Sequence, residues 1–187
     1  QHMMADWGSK PIKFLCPVPG YDRHFAICEH LGVEMIPVPM LDTGPDMDVV
    51  EQLVMADASI KGIWCVPRFS NPTGCVYSET TIERLAKLGK IAGDHFVVMY
   101  DNAYAVHGLH ENVPALANIS DYCAQHDTAN SVFQFGSTSK ITFAGAGVAF
   151  LSSSARNLAA LKDQIERSKG QQYQDSLYSQ DLQKTSE

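Results

Sequence analysis

Two short runs, Gly62–Val66 and Phe96–Tyr100, are apolar throughout rather than at every second position. A strand with one wet face alternates between apolar and polar residues; a strand without alternation is covered on both faces. Helical patterns lie between such runs. Together they predict a mostly parallel sheet flanked by helices, a three-layer α-β-α sandwich of the α/β class. The other strands expected are Lys13–Val18, Val33–Val38, Ser131–Phe135 and Gly147–Leu151. The prolines bounding Val33–Val38 suit it to a sheet edge. Helices are expected over Tyr21–Leu31 (ended by Gly32), Asp46–Ala56, Ser78 to about Ala92, part of Val113–Gln125, and Ser154 to about Arg167.

The chain has 187 residues, 45% hydrophobic and 19% charged, enough for one substantial core. Its net charge of −7 offers no basic field for nucleic acid or an anionic membrane. No apolar run is long enough to span a bilayer. Residues 13–167 read as the domain core. Residues 1–12 read as a truncated leader or tag remnant, and 168–187 as a polar tail, frayed or helical only beside a neighbour. Five cysteines (16, 28, 65, 75, 123) form no CxxC pair and read as reduced thiols of a cytoplasmic protein. His107 and His110 stand three apart without an acidic or thiol neighbour at ligand spacing, so no metal site is expected.

In open α/β sheets, ligands bind beyond the carboxyl ends of the strands. Four strand-end segments carry unusual residues. In "FQFGSTSKITFAGAG" the only charge between Asp127 and Arg156 is Lys140. A solvated loop lysine is the plain reading. A lysine in poor solvent instead has a lowered pKa and becomes a nucleophilic amine, suited to a Schiff base. The hydroxyls of Ser137, Thr138 and Ser139 before it suit a phosphate. In "VVMYDNAY", Asp101 is either a turn aspartate or the partner of a cationic ring nitrogen. At about 3 Å and an effective dielectric of about 20 that attraction is roughly 5 kcal/mol before desolvation. Tyr104 follows three residues on. Asn71, in "RFSNPTGCVYS", is a turn residue or a donor to a phenolate oxygen. Tyr21, after Pro19–Gly20, is a core ring or one stacked on a ligand.

Asn71, Asp101 and Lys140 occur in that order, separated by 30 and 39 residues. With "FLCPVPGYDRHF", "IWCVPRFSNPTG", "YDNAYAVH" and "STSKITFAGAGVAF", the region from Lys13 to Ile165 resembles the large domain of fold-type I pyridoxal-phosphate enzymes. Within these it is similar to class I aminotransferases of the MocR type, which include a branch of aspartate aminotransferases. The resemblance implies pyridoxal 5′-phosphate as cofactor. It makes Lys140 the Schiff-base lysine, which also moves the proton between the substrate Cα and C4′. It puts Asp101 on the pyridine nitrogen and Tyr104 and Asn71 on the phenolic oxygen. Ser137 and Ser139 would hold the phosphate, and Tyr21 would stack on the ring.

Gly147 stands where many class I relatives keep a second phosphate-binding cation, which leaves that charge to Arg23 or to residues outside this chain. Relatives have an upstream glycine-rich phosphate loop and a downstream small domain, so the chain is expected to be a central, truncated cofactor domain. The implied reaction is ping-pong transamination between an amino acid and a 2-oxo acid, with aspartate and 2-oxoglutarate as the pair, in a homodimer. Other readings are a lyase or decarboxylase on the same fold, the effector-binding domain of a MocR-type regulator, or an inactive fragment. No basic helix-turn-helix segment is visible.

Overall fold

A computed structural model describes residues 7–8, 11–93, 95–108, 115–142 and 147–184, with side chains as far as Lys169. Seven strands form one sheet: β1 (Lys13–Val18), β2 (Glu34–Leu41), β3 (Gly44–Pro45), β4 (Ile60–Cys65), β5 (Val97–Asp101), β6 (Val132–Ser137) and β7 (Ala149–Ser152). Their spatial order is β3-β2-β1-β4-β5-β6-β7. The central pairings are parallel; β3 and β7 run antiparallel to their neighbours. The expected α/β sandwich is present. The Val33–Val38 strand lies one position in from the edge, because two-residue β3 pairs with Met40 and Leu41.

The helices are α1 (Asp22–Leu31), α2 (Met47–Ala56), α3 (Glu79–Ala92), α4 (Ile119–Gln125) and α5 (Ala155–Lys184). Local chemistry sets their ends. Asp46 accepts from the N–H groups of Asp48 and Val49, and Ser78 from that of Thr81. Gly32 closes α1 at φ 67°, in the left-handed region that suits glycine. Ser154 accepts from Asn157 N at 3.2 Å at the start of α5. The backbone of α5 runs on past Arg167 to Lys184, so the polar stretch expected to fray is helical as far as that residue. The expected helix over part of Val113–Gln125 begins at Ile119; residues 113 and 114 lie outside the described residues.

Two cores cover the two sheet faces. Leu15, Val50, Ile63, Ile82, Leu85 and Leu88 form the centre of one, with α2, α3 and α4. Truncating any of these to alanine would cost about 2–5 kcal/mol. Phe14, Cys16, Cys28, Val97 and Phe133 form the other, against α1. Beyond α1 that face opens into a groove of about 990 Å³, bounded by Met99, Phe135 and Leu151 and by α5.

The chain leaves β1 toward β2 and later returns to the other side of β1 as β4. The β1/β4 boundary is therefore a topological switch point, where the loops diverge and open a crevice. Residues after β1 and β4 line it.

Candidate active site

Asp101 is the last residue of β5, in register with Phe135 of β6. Its Oδ2 lies 3.0 Å from Nε2 of His24. An ionised carboxylate only accepts, so the imidazole N–H donates. His24 sits in the first turn of α1 and is 5% exposed. Its ring stacks on Trp64 of β4, with centroids 4.3 Å apart and planes 9° from parallel. Tyr21 meets the same imidazole edge-on at 5.3 Å. Trp64 Nε1 donates to Cys28 Sγ at 3.3 Å. Cys16 Sγ donates to the Phe14 carbonyl at 3.8 Å, and interaction between the two thiols pushes Cys28 down and Cys16 up. Gly20 turns the chain into this crevice. A Cβ there would lie 2.3 Å from the Pro17 carbonyl oxygen, so no larger residue fits without moving backbone.

A second group surrounds Lys140. Its Nζ lies 5.8 Å from the centroid of the Tyr104 ring, within cation–π range. The Tyr104 ring also meets those of Phe69 and His107, at 6.3 and 5.2 Å. Arg68 ties the group together: Nη2 donates to the His107 carbonyl at 3.0 Å, and the guanidinium lies 5.3 Å from the Phe69 ring. Phe69 has φ 49°, which for a bulky residue costs about 1–3 kcal/mol. Such strain persists only where surrounding contacts hold it. Of the two readings of Lys140, the solvated one matches the structure and the one in poor solvent is corrected: the residue is exposed. Among the described residues, the apolar neighbours in sequence Ile141, Val148 and Phe150 are themselves more than half exposed and do not cover it.

Third is the serine turn. Gly136 and Ser137, expected to follow the strand, belong to β6 because β7 pairs with them. Ser139 N donates to Ser137 Oγ at 3.0 Å, and Ser137 Oγ to Ser139 Oγ at 2.8 Å. The turn is clipped on both sides of Thr138, whose N–H reaches Val148 O and whose Oγ1 accepts from Val148 N, each at 2.9 Å. A Cβ at Gly147 would come within 2.2 Å of Ser139 Oγ. Arg23, the proposed substitute cation, is exposed on α1.

Asn71 is exposed in a turn closed by Gly74 N to Ser70 O at 2.6 Å, with Gly74 at φ 74°. No side-chain hydrogen bond joins Asn71 to another described residue. His107 belongs to the Lys140 group, and His110 lies outside the described residues. Among the described residues no cluster could hold a metal and no helix is long and apolar enough to cross a membrane. Nor is there a disulfide: all five cysteines are free.

His24, Trp64, Arg68 and Phe69 were not anticipated. Only His24 left a usable trace, falling one helical turn after Tyr21 in the segment that follows β1. An amine, a carboxylate, a phenol and paired hydroxyls thus stand at or just after the carboxyl ends of the adjacent strands β5 and β6. That donor set fits a phosphorylated aldehyde with a basic ring nitrogen.

The chain belongs to the aspartate amino-transferase family, whose sequence pattern matches residues 2–172. It is 51% identical over 146 residues to an aspartate aminotransferase of Corynebacterium glutamicum, covering 78% of this chain and 33% of that one. The crystal structure of an aspartate transaminase from the same species superposes with a TM-score of 0.77 at 46% identity, covering 84% of this chain and 37% of that chain. A helix-turn-helix transcriptional regulator of Bacillus subtilis, YcxD, is 34% identical over 127 residues, covering 68% of this chain and 26% of the regulator. The chain thus spans about a third of the length of these aminotransferases.

Proposed function

We propose that this chain is the cofactor-binding part of a pyridoxal-phosphate-dependent transaminase. The observation that carries this reading is the edge of β5 and β6, where Asp101 is held by His24 and the next strand leads through two serines to Lys140. When bound, pyridoxal 5′-phosphate supplies an electron sink conjugated to the substrate Cα.

The chain's own residues do the rest. With the cofactor bound, Lys140 would hold its aldehyde carbon and would move the proton between the substrate Cα and C4′. Its exposure leaves it free to swing between these tasks. Asp101 would pair with the ring nitrogen and favour its protonated form, and His24 fixes that carboxylate. Tyr104 and Asn71 would donate to the phenolic oxygen, Ser137 and Ser139 would hold the phosphate, and Tyr21 would pack on the ring. Aspartate and 2-oxoglutarate are the proposed substrates, in a cytoplasmic homodimer of the MocR-type branch. The likeness to an aspartate transaminase supports the substrates, and the quoted motifs support the branch.

Likeness to the Bacillus subtilis regulator favours a second reading, an effector-binding domain that holds the cofactor without turning it over. One experiment separates the two. The chain is mixed with pyridoxal phosphate, reduced with borohydride and digested. The transaminase reading expects the mass label on Lys140, its loss in Lys140→Ala, and conversion of the cofactor to its amine form by aspartate. Labelling without conversion by any amino acid supports the regulator. Labelling elsewhere, or equally in Lys140→Ala, refutes the assignment of Lys140.

A further inference from the structure

We propose that Trp64 is a positioning residue: it fixes the plane of the His24 imidazole so that Nε2 points at Asp101. The consequence for cofactor binding rests on Asp101 as partner of the ring nitrogen; the positioning itself does not.

A histidine in the first turn of a helix can turn about two side-chain bonds. Only a narrow set of orientations brings Nε2 to 3.0 Å from a carboxylate oxygen on another element. Three contacts restrict it. The indole lies flat on the imidazole, 9° from parallel, and blocks rotation on that face. Tyr21 stands nearly perpendicular, at 87°, against the same ring. The charged partner supplies the third. Of the two aromatic contacts, Trp64 is the one anchored in the sheet. It belongs to β4, which is paired with β1 on one side and β5 on the other. Its own ring is fixed by the Nε1 bond to Cys28 Sγ at 3.3 Å and by Phe14 at 6.2 Å. Trp64 and Asp101 therefore share one rigid frame, and the helix delivers His24 between them. Groups held by strands are placed more tightly than groups held by loops.

Ordinary core filling would need only the bulk of Trp64, not its flat face. Two variants separate the readings. Trp64→Phe keeps an aromatic face, and Trp64→Met keeps apolar bulk without one. Without cofactor, proton NMR of the wild-type chain should show a slowly exchanging imidazole N–H, assigned by its loss in His24→Gln. Nuclear Overhauser contacts should join the His24 and Trp64 rings. The resonance should persist in Trp64→Phe and vanish in Trp64→Met.

In titrations with pyridoxal phosphate, Trp64→Met should bind about tenfold more weakly, equivalent to ~1.4 kcal/mol, and Trp64→Phe should bind as wild type does. Survival of the resonance in Trp64→Met overturns the proposal. So does the absence of His24–Trp64 contacts in the wild type, a measurement that stands even if a variant fails to fold. If the wild type takes up no cofactor, the reading of Asp101 fails while the NMR arm still decides the role of Trp64.

Discussion

His24 Nε2 and Asp101 Oδ2 are 3.0 Å apart across 77 residues of chain. The pair joins the first helix to the end of β5 and leaves the carboxylate about one-quarter exposed. Asp101→Asn keeps the shape but removes the charge that would hold a ring nitrogen protonated. It should retain cofactor attachment at Lys140 and slow conversion by aspartate by about 10²-fold, the scale of removing one electrostatic stabiliser. Stopped-flow absorbance measures both. An unchanged rate would exclude Asp101 from the reaction.

Gly62 is a glycine for lack of space. A Cβ there would lie 2.4 Å from Phe14 Cζ and 2.8 Å from the Val97 carbonyl oxygen. The ring can give, but the backbone of β5 cannot. Gly62→Ala should destabilise the fold by about 1–3 kcal/mol. Gly108→Ala, where no other described residue lies within 4 Å, should shift it by less than about 0.5 kcal/mol. Urea denaturation midpoints compare the two.

Lys13 Nζ lies 2.8 Å from Asp57 Oδ2, clamping the start of β1 to the end of α2. Hydrogen bonds from Lys13 and Ser59 hold the Asp57 carboxyl well below the usual carboxylate range; the same pair raises the Lys13 amine. A depressed acid contributes stability above its unfolded pKa and loses it as pH falls through the folded value. A raised amine contributes below its unfolded pKa and loses it as pH rises through the folded value. The clamp therefore acts from above the ordinary aspartate range to below the ordinary lysine range. Asp57→Asn should lower the melting temperature at neutral pH, and the gap should close in strong acid. A gap that stays constant with pH would remove the clamp from the stability of the fold.

Cys16, Cys28, Cys65 and Cys123 are buried, and Cys75 is only partly so. Burial and the nearby Asp42 raise the Cys75 thiol, which slows it relative to a free cysteine. Under native conditions a maleimide should label Cys75 slowly and the other four far more slowly still. Mass spectrometry of the labelled chain gives the order. Early labelling of Cys28 would mean that α1 lifts from the sheet.

The strands and helices were legible where their cause is local. Phe14–Val18 is apolar throughout, and Ser78 caps the helix that it opens. The end of β6 was not legible, because Gly136 and Ser137 become strand only when β7 returns to pair with them. Asp101 and Lys140 stood out as charges at the ends of apolar runs. His24 stood out less: its place one helical turn after Tyr21 is the one local trace of a residue whose partner is 77 positions away. The exposure of Lys140 was one of two open readings, because apolar neighbours in sequence bury a charge only if they fold over it.

The space at Gly147 sets what the serine turn will tolerate. A Cβ there would stand 2.2 Å from Ser139 Oγ and 2.8 Å from its Cα, so any side chain at 147 has to displace backbone as well as a hydroxyl. Turn and glycine are mutually dependent: enlarging one means reshaping the other.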